Sequence, residues 1–261
     1  MTTPILLLGA GRMGGALIEG WAKAGAFAAG DLIVRDPAAT AAAFPGAQVN
    51  PSLEALSAAR TVLLAVKPQI WRQAVADVVP HLAPDAVIVS IAAGVRAADI
   101  SEAFGGRAVA RVMPTTAVAV GLGTASIYAA TAQARARAHA LLAPVATVVD
   151  LEDEGLMHAA TAVSGSAPAY LYAFIEALEA AGAGQGLTPE DAARLARSTI
   201  VGAAALLGQG GEDPAELRRQ VTSPGGTTAA ALSVLMGEGG FGDLLPRAMA
   251  QAVKRSEELG G

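Results

Sequence analysis

Five short runs, Ile5 to Leu8, Leu32 to Val34, Thr61 to Val66, Ala86 to Ile91 and Ala108 to Met113, are apolar at almost every position rather than at every second one. A strand with one wet face alternates; a strand apolar throughout is covered on both faces, as in a parallel sheet layered between helices. Ala-rich helical stretches separate these runs, which constrains the first half of the chain to a doubly wound α/β domain. Ala125 to Tyr128 and Val145 to Val149 flank another helical stretch and extend the series.

Between the first run and the first helical stretch lies Gly9-Ala10-Gly11-Arg12-Met13-Gly14. In a strand–turn–helix context the first Gly permits the tight turn, the second lets a pyrophosphate approach the backbone, and the third lets helix and strand pack closely. The amides of the helix start then face the phosphates. The cofactor-binding expectation therefore covers Leu8, Gly9, Ala10, Gly11, Arg12, Met13 and Gly14. The second run ends Val34-Arg35-Asp36-Pro37, where such folds recognise the adenosine ribose. Arg35 suits a 2′-phosphate, whereas Asp36 suits a free 2′-hydroxyl and repels a phosphate.

After about Glu152 the strand pattern stops. Leu171, Phe174, Ile175 and Leu178 keep helical spacing, as do Phe241, Leu244, Leu245, Ala248, Met249 and Ala252. Thr188-Pro189-Glu190-Asp191 and Asp213-Pro214-Ala215-Glu216 each place a capping side chain before a Pro at the first helical position. The expected division is 1–152 for the dinucleotide domain and 153–261 for an all-α domain. Small side chains in a small helical domain leave much apolar surface unburied, so dimerisation through these helices is expected.

Composition narrows the chemistry. Net charge is -5 with three Lys, Lys23, Lys67 and Lys254, so no basic field exists for a nucleic-acid backbone. The absence of Cys excludes disulfides, thiolate nucleophiles and Cys-based metal sites, and His81, His139 and His158 lack ligand spacing. Neither a metal nor a membrane span is expected, and a cytoplasmic location is. Glu176 and Glu179, spaced i, i+3, read as a solvated or interfacial helix face, and His158 as a helix-surface residue.

Together with the first loop, four segments resemble pyrroline-5-carboxylate reductases in order and spacing: Ala65-Val66-Lys67-Pro68, Ser90-Ile91-Ala92-Ala93-Gly94, Ser164-Gly165-Ser166-Ala167-Pro168-Ala169-Tyr170 and Ser223-Pro224-Gly225-Gly226-Thr227-Thr228. The resemblance implies a Rossmann-type domain, a helical dimerisation domain that completes the active site, a homodimer or larger homo-oligomer, and reduction of the cyclic imine 1-pyrroline-5-carboxylate to proline. It favours NADPH, with NADH as the alternative. Two departures stand out. Met113-Pro114-Thr115-Thr116-Ala117 replaces the family's usual Met-Pro-Asn-Thr-Pro, losing an amide and a ring. Ala167 replaces a common Gly, which requires that its backbone not need positive φ.

Ligands of open α/β sheets lie beyond the carboxyl ends of strands, so Ala65, Val66, Lys67, Pro68, Ala92 and Ala93 are expected to border the cofactor. The glycines of Ser223 to Thr228 free backbone amides at a helix start, which favours an anion. The resemblance makes that anion the substrate carboxylate, held by Gly226 and Thr227. It gives the ring nitrogen to Thr228, with Ser223 nearby, and places Glu154 beside the substrate. Two rivals remain: a β-hydroxyacid dehydrogenase-like enzyme, which needs a Lys on a helix of the second domain where only Lys254 stands, and a non-catalytic dinucleotide sensor.

Overall fold

A computed structural model describes residues 4–260. One compact unit runs to Gly165 and takes in the chain again from Ala252; the second is Ser166–Gln251.

The strands of the first unit are β1 (Ile5–Leu8), β2 (Leu32–Arg35), β3 (Gln48–Val49), β4 (Thr61–Leu64), β5 (Val87–Ser90), β6 (Val109–Pro114), β7 (Gly123–Ala129) and β8 (Ala146–Asp150). They form one sheet in the order β3-β2-β1-β4-β5-β6-β7-β8. The order reverses between β1 and β4, the switch point where doubly wound sheets open a crevice for ligands. Helices α1 (Arg12–Ala24), α2 (Trp71–Val75), α3 (Ala97–Ala103), α4 (Ala132–Leu142) and α5 (Leu156–Ala160) accompany the strands.

Strand alternation explains why the runs are apolar throughout. Ile5 and Leu7 join Leu17, Trp21, Leu63 and Val89 in one buried cluster. Leu6 and Leu8, pointing the other way, join Ile33, Leu64, Trp71, Val75 and Phe104 in another. Each strand thus feeds two cores. On the first face α1 lies so close to the 3₁₀ turn Thr116–Val120 that a Cβ on Gly20 would fall 2.1 Å from the Val118 carbonyl oxygen. The neighbouring Trp21 donates its indole N–H to the Leu141 carbonyl at 2.7 Å and stacks edge-on against Phe27.

The sheet is predominantly parallel, as the sequence pattern implies, with one reversal. β1 to β6 pair in parallel, but β7 runs antiparallel to β6, and β8 is parallel to β7. The link from β6 to β7 holds only the short turn around Thr116–Val120, and a parallel return needs a crossover of about a dozen residues or more. α4 supplies such a crossover from β7 to β8. The two-residue β3 is too short to carry a pattern of its own.

The second unit is helical: α6 (Ala167–Gly184), α7 (Pro189–Gly208), α8 (Pro214–Gln220), α9 (Thr227–Leu235) and the start of α10 (Phe241–Gly260). The two capping segments act as their residues dictate. Thr188 Oγ1 accepts from the Asp191 amide at 3.1 Å, and Asp213 Oδ1 accepts from the Ala215 and Glu216 amides at 2.7 and 3.1 Å. Glu179 does not face solvent alone, because Arg197 of α7 donates to both its oxygens. Ala167 opens α6 and is not among the residues of positive φ, so its methyl meets no backbone strain. Many large apolar side chains of this unit stay exposed, among them Val201, Leu206, Leu207 and Val221. Among the described residues no helix is long and apolar enough to cross a membrane.

Candidate active site

The carboxyl ends of β1, β4 and β5 bring three of the sequence-marked segments together. The Gly9 amide donates to the Arg35 carbonyl, the Ala65 amide to that of Leu8, and the Ile91 amide to that of Leu64, so the ladder continues one residue beyond each strand before the loops depart. Gly9 has φ 92°, and a Cβ there would lie 2.9 Å from the Ala65 oxygen. At Gly14 a Cβ would lie 2.3 Å from the Gly9 oxygen, so only Gly lets α1 start this close to the turn. Around Gly11 a Cβ would meet nothing within 4 Å. Gly11 is also the N-cap of α1, without a side-chain capping bond and without an acid in the first turn. The helix therefore presents amides that no side-chain cap occupies, and a positive dipole end, over open space, a cradle that fits a pyrophosphate.

Beside this cradle a cleft of about 480 Å³ is lined by Leu8, Gly9, Arg35, Asp36, Val66 and Asp77 among others. Asp36 is held rigidly. Its Oδ2 accepts from the Ala10 amide at 2.7 Å and its Oδ1 from the Ala38 amide at 2.8 Å. Its backbone is bonded on both sides by the Asn50 side chain, which accepts from the Asp36 amide at 3.0 Å and donates to its carbonyl at 2.9 Å. Asn50 itself sits at φ 47°, a conformation Asn tolerates better than most residues. Arg35 is not a free cation: its Nη2 lies 2.6 Å from Asp77 Oδ2. Neither Asn50 nor Asp77 stood out in the sequence, because only strand order brings them to the end of β2.

Lys67 is exposed in the turn after β4, whereas Ala92 is buried after β5, its amide donating to Ser90 Oγ at 3.2 Å. Glu154 lies in the first unit with its carboxylate already engaged. Oε1 accepts from Arg111 Nη1 and from the Ala97 amide, each at 2.7 Å. The acid therefore compensates the start of α3 rather than of the helix that follows it. His158, expected on a helix surface, is half-buried, and its Nδ1 lies 2.9 Å from Ser256 Oγ. The Thr115 departure also finds its contact: Thr115 Oγ1 accepts from the Thr124 amide at 3.0 Å, a hydroxyl tying the loop to β7.

In the second unit, Ser223-Pro224-Gly225-Gly226 is a tight turn closed by the Gly226 amide on the Ser223 carbonyl at 3.0 Å. Pro224 and Gly225, with φ 70°, occupy its central positions as a type II turn requires. A Cβ on Gly226 would lie 2.6 Å from Ser223 Oγ, so that hydroxyl folds back over the glycine. Gly226 is the N-cap of α9 and has no side chain to cap it, and Thr228 follows, half-buried, in the first turn. Among the described residues no cluster of His, Cys, Asp and Glu has the makings of a metal site.

Known proteins resemble this chain along its whole length. Residues 154–259 match a family profile described as pyrroline-5-carboxylate reductase dimerisation, and residues 4–94 one described as NADP oxidoreductase, coenzyme F420-dependent. A pyrroline-5-carboxylate reductase of Pseudomonas aeruginosa is 40% identical over 99% of this chain and 98% of its own. That of Pisum sativum is 34% identical over 97% and 94%. A solved pyrroline-5-carboxylate reductase from Coxiella burnetii superposes with TM-score 0.91 at 29% identity, covering 100% of both chains. The pyrroline carboxylate reductase of Plasmodium falciparum, solved with NADP bound, gives 0.84 at 26% identity, covering 99% and 98%. With full-length relatives at this identity, the chain belongs to the pyrroline-5-carboxylate reductase family.

Proposed function

We propose that this protein reduces the C=N bond of 1-pyrroline-5-carboxylate to L-proline, the last step of proline biosynthesis, with NADPH as hydride donor and NADH as the alternative. The observation that carries the reading is full-length membership of the family in a chain that also builds a dinucleotide cradle at Gly9–Gly14. When bound, the dinucleotide supplies the hydride. In this reading the amides from Gly11 onward take the pyrophosphate, the Arg35–Asp36 cleft the adenosine ribose, and Lys67, Ala92 and Ala93 border the nicotinamide. The division at 152/153 into a dinucleotide domain and a substrate and dimerisation domain belongs to the same proposal.

For the substrate, the Gly226 and Thr227 amides at the start of α9 hold the carboxylate, with Ser223 beside them. The Thr228 hydroxyl donates to the ring nitrogen, which raises the electrophilicity of C5. As the new C–H bond to the dinucleotide's hydride forms, the C=N π pair moves to nitrogen, which takes up a proton that solvent water supplies or replaces through the hydroxyl. Hydride transfer to an imine demands alignment more than a strong base. That suits a chain whose candidate site residues are mostly glycines, small side chains and hydroxyls. Glu154, whose Oε1 is engaged by Arg111 and Ala97, borders the substrate in this reading. The exposed apolar side chains of α7, with Val221 just after α8, support a homodimer formed through the helical unit.

The deciding experiment is oxidation of NADPH and of NADH followed side by side with pyrroline-5-carboxylate, with proline identified as product. Dinucleotide binding without turnover of the imine would leave a sensor instead. The two-domain hydroxyacid dehydrogenases, one of which from Mycobacterium tuberculosis shares the fold at TM-score 0.52 and 18% identity, would instead oxidise hydroxyacids.

A further inference from the structure

The cleft beside the Gly-rich loop holds an imbalance of charge that bears on which dinucleotide enters. In folds of this kind an acid at the end of the second strand receives the free ribose hydroxyls, and an Arg nearby accommodates a 2′-phosphate. This chain places both at successive positions, Arg35 and Asp36. The tie is broken by a third residue, Asp77, which comes from beyond α2. Its Oδ2 lies 2.6 Å from Arg35 Nη2, with the two side chains 54% and 26% exposed. All three line the same cleft, so one guanidinium stands against two carboxylates. Asp36 cannot turn away, because both its oxygens accept backbone amides.

We propose that Asp77 is a specificity-determining residue of the dinucleotide site, acting through Arg35. By holding the guanidinium in an ion pair it makes a 2′-phosphate compete for its cation, and so narrows the advantage of NADPH over NADH that Arg35 would otherwise confer. The charge-assisted contact to a phosphate is among the stronger hydrogen bonds available, so sharing the donor with a carboxylate weakens that contact and adds repulsion. A dinucleotide with a free 2′-hydroxyl needs no such cation and loses nothing to Asp77. The proposal rests on the reading of this cleft as the adenosine end of the cofactor site.

Isothermal titration of the intact protein with 2′,5′-ADP and with AMP, which share the adenosine and differ at the 2′ position, tests it without catalysis. Asp77→Asn is expected to tighten 2′,5′-ADP roughly fivefold, the upper range for a partly exposed pair, and to leave AMP within about twofold. Arg35→Ala is expected to weaken 2′,5′-ADP roughly tenfold or more with AMP unchanged. In the Arg35→Ala background, Asp77→Asn should lose most of its effect, since the two residues act as a pair. The ratio of KM for NADPH to KM for NADH should move in the same directions.

If Asp77→Asn leaves the 2′,5′-ADP affinity unchanged while Arg35→Ala lowers it, the cleft is the adenosine site but Asp77 does not control it, and the proposal falls alone. If Asp77→Asn keeps its full effect without Arg35, Asp77 is a plain repelling charge and the pairing mechanism is wrong. If neither substitution changes either ligand, the assignment of the cleft falls first and the proposal with it. Equal melting temperatures confirm that each variant is folded.

Discussion

Arg111 and Glu154, 43 residues apart in the chain, meet at 2.7 Å, and the same Glu154 oxygen accepts the Ala97 amide that opens α3. The Arg111 side chain is only 6% exposed and lies on β6 level with Ser90, the last residue of β5. The acid thus neutralises a buried cation and fixes the helix that leaves the Ser90–Gly94 loop. Glu154→Ala should lower stability by about 3 kcal/mol, the scale for stranding one member of a largely buried pair. The Glu154→Gln change keeps an acceptor for Ala97 and should lose less. Urea midpoints at constant m-value measure this. A rise in KM for the imine beyond what the loss of stability explains would support a place for Glu154 beside the substrate.

Thr228 stands in the first turn of α9, past a Gly N-cap. Its hydroxyl is therefore not the helix cap, and Thr228→Ala should leave the melting temperature nearly unchanged. Losing one partner of a hydrogen bond to the reacting nitrogen costs on the order of 1–3 kcal/mol, or about tenfold to a hundredfold in kcat/KM. Dinucleotide affinity should hold, and Thr228→Ser should recover much of the loss. A folded Ala variant with wild-type kcat/KM removes Thr228 from the mechanism.

Two glycines of the first helix region separate stability from binding. Gly20→Ala forces a methyl to within 2.1 Å of the Val118 oxygen and should cost about 1–3 kcal/mol of overpacking with little change in dinucleotide affinity. Gly11→Ala meets no protein atom within 4 Å, so the fold should tolerate it. Its methyl would occupy the space a pyrophosphate needs, and NADPH affinity should fall roughly tenfold or more. Thermal unfolding and calorimetric titration of both variants check the contrast.

Val201, Leu206, Leu207 and Val221 are exposed on α7 and after α8, and Leu206, Leu207 and Val221 border an apolar groove of about 440 Å³ that also takes in Leu171 and Leu217. Leu206→Glu or Val201→Glu should break the oligomer, because a charge buried in an apolar interface is left unpaired. Sedimentation should then show monomers, and the melting temperature of the wild type, but not of the variants, should rise with protein concentration.

Asp99 is held below the usual carboxylate range by hydrogen bonds from Arg96 at 2.8 and 3.1 Å and by that residue's charge. A depressed carboxylate adds stability that is complete above its unfolded value of about 4 and is lost as pH falls through the folded value. Arg96→Ala should therefore lower the melting temperature slightly at neutral pH, with the difference from wild type shrinking below about pH 4.

Local features of this protein were legible in the sequence. Runs such as Ile5 to Leu8 declare burial on both faces by composition alone, Gly9 and Gly14 declare a turn that tolerates no side chain, and Thr188 and Asp213 declare helix starts, because each depends on neighbours a few residues away. The expected parallel sheet runs from β1 to β6, and a link too short for a crossover reverses β7. What only tertiary structure decided is every relationship that strand order creates: Asp77 on Arg35, Glu154 on Arg111, Asn50 around Asp36, and Gly20 against Val118. A residue's type fixes what it can bond, but the fold fixes which partner reaches it, so carboxylates that look alike in the chain end bonded to backbone amides after β2 in one place and paired with a buried guanidinium in another.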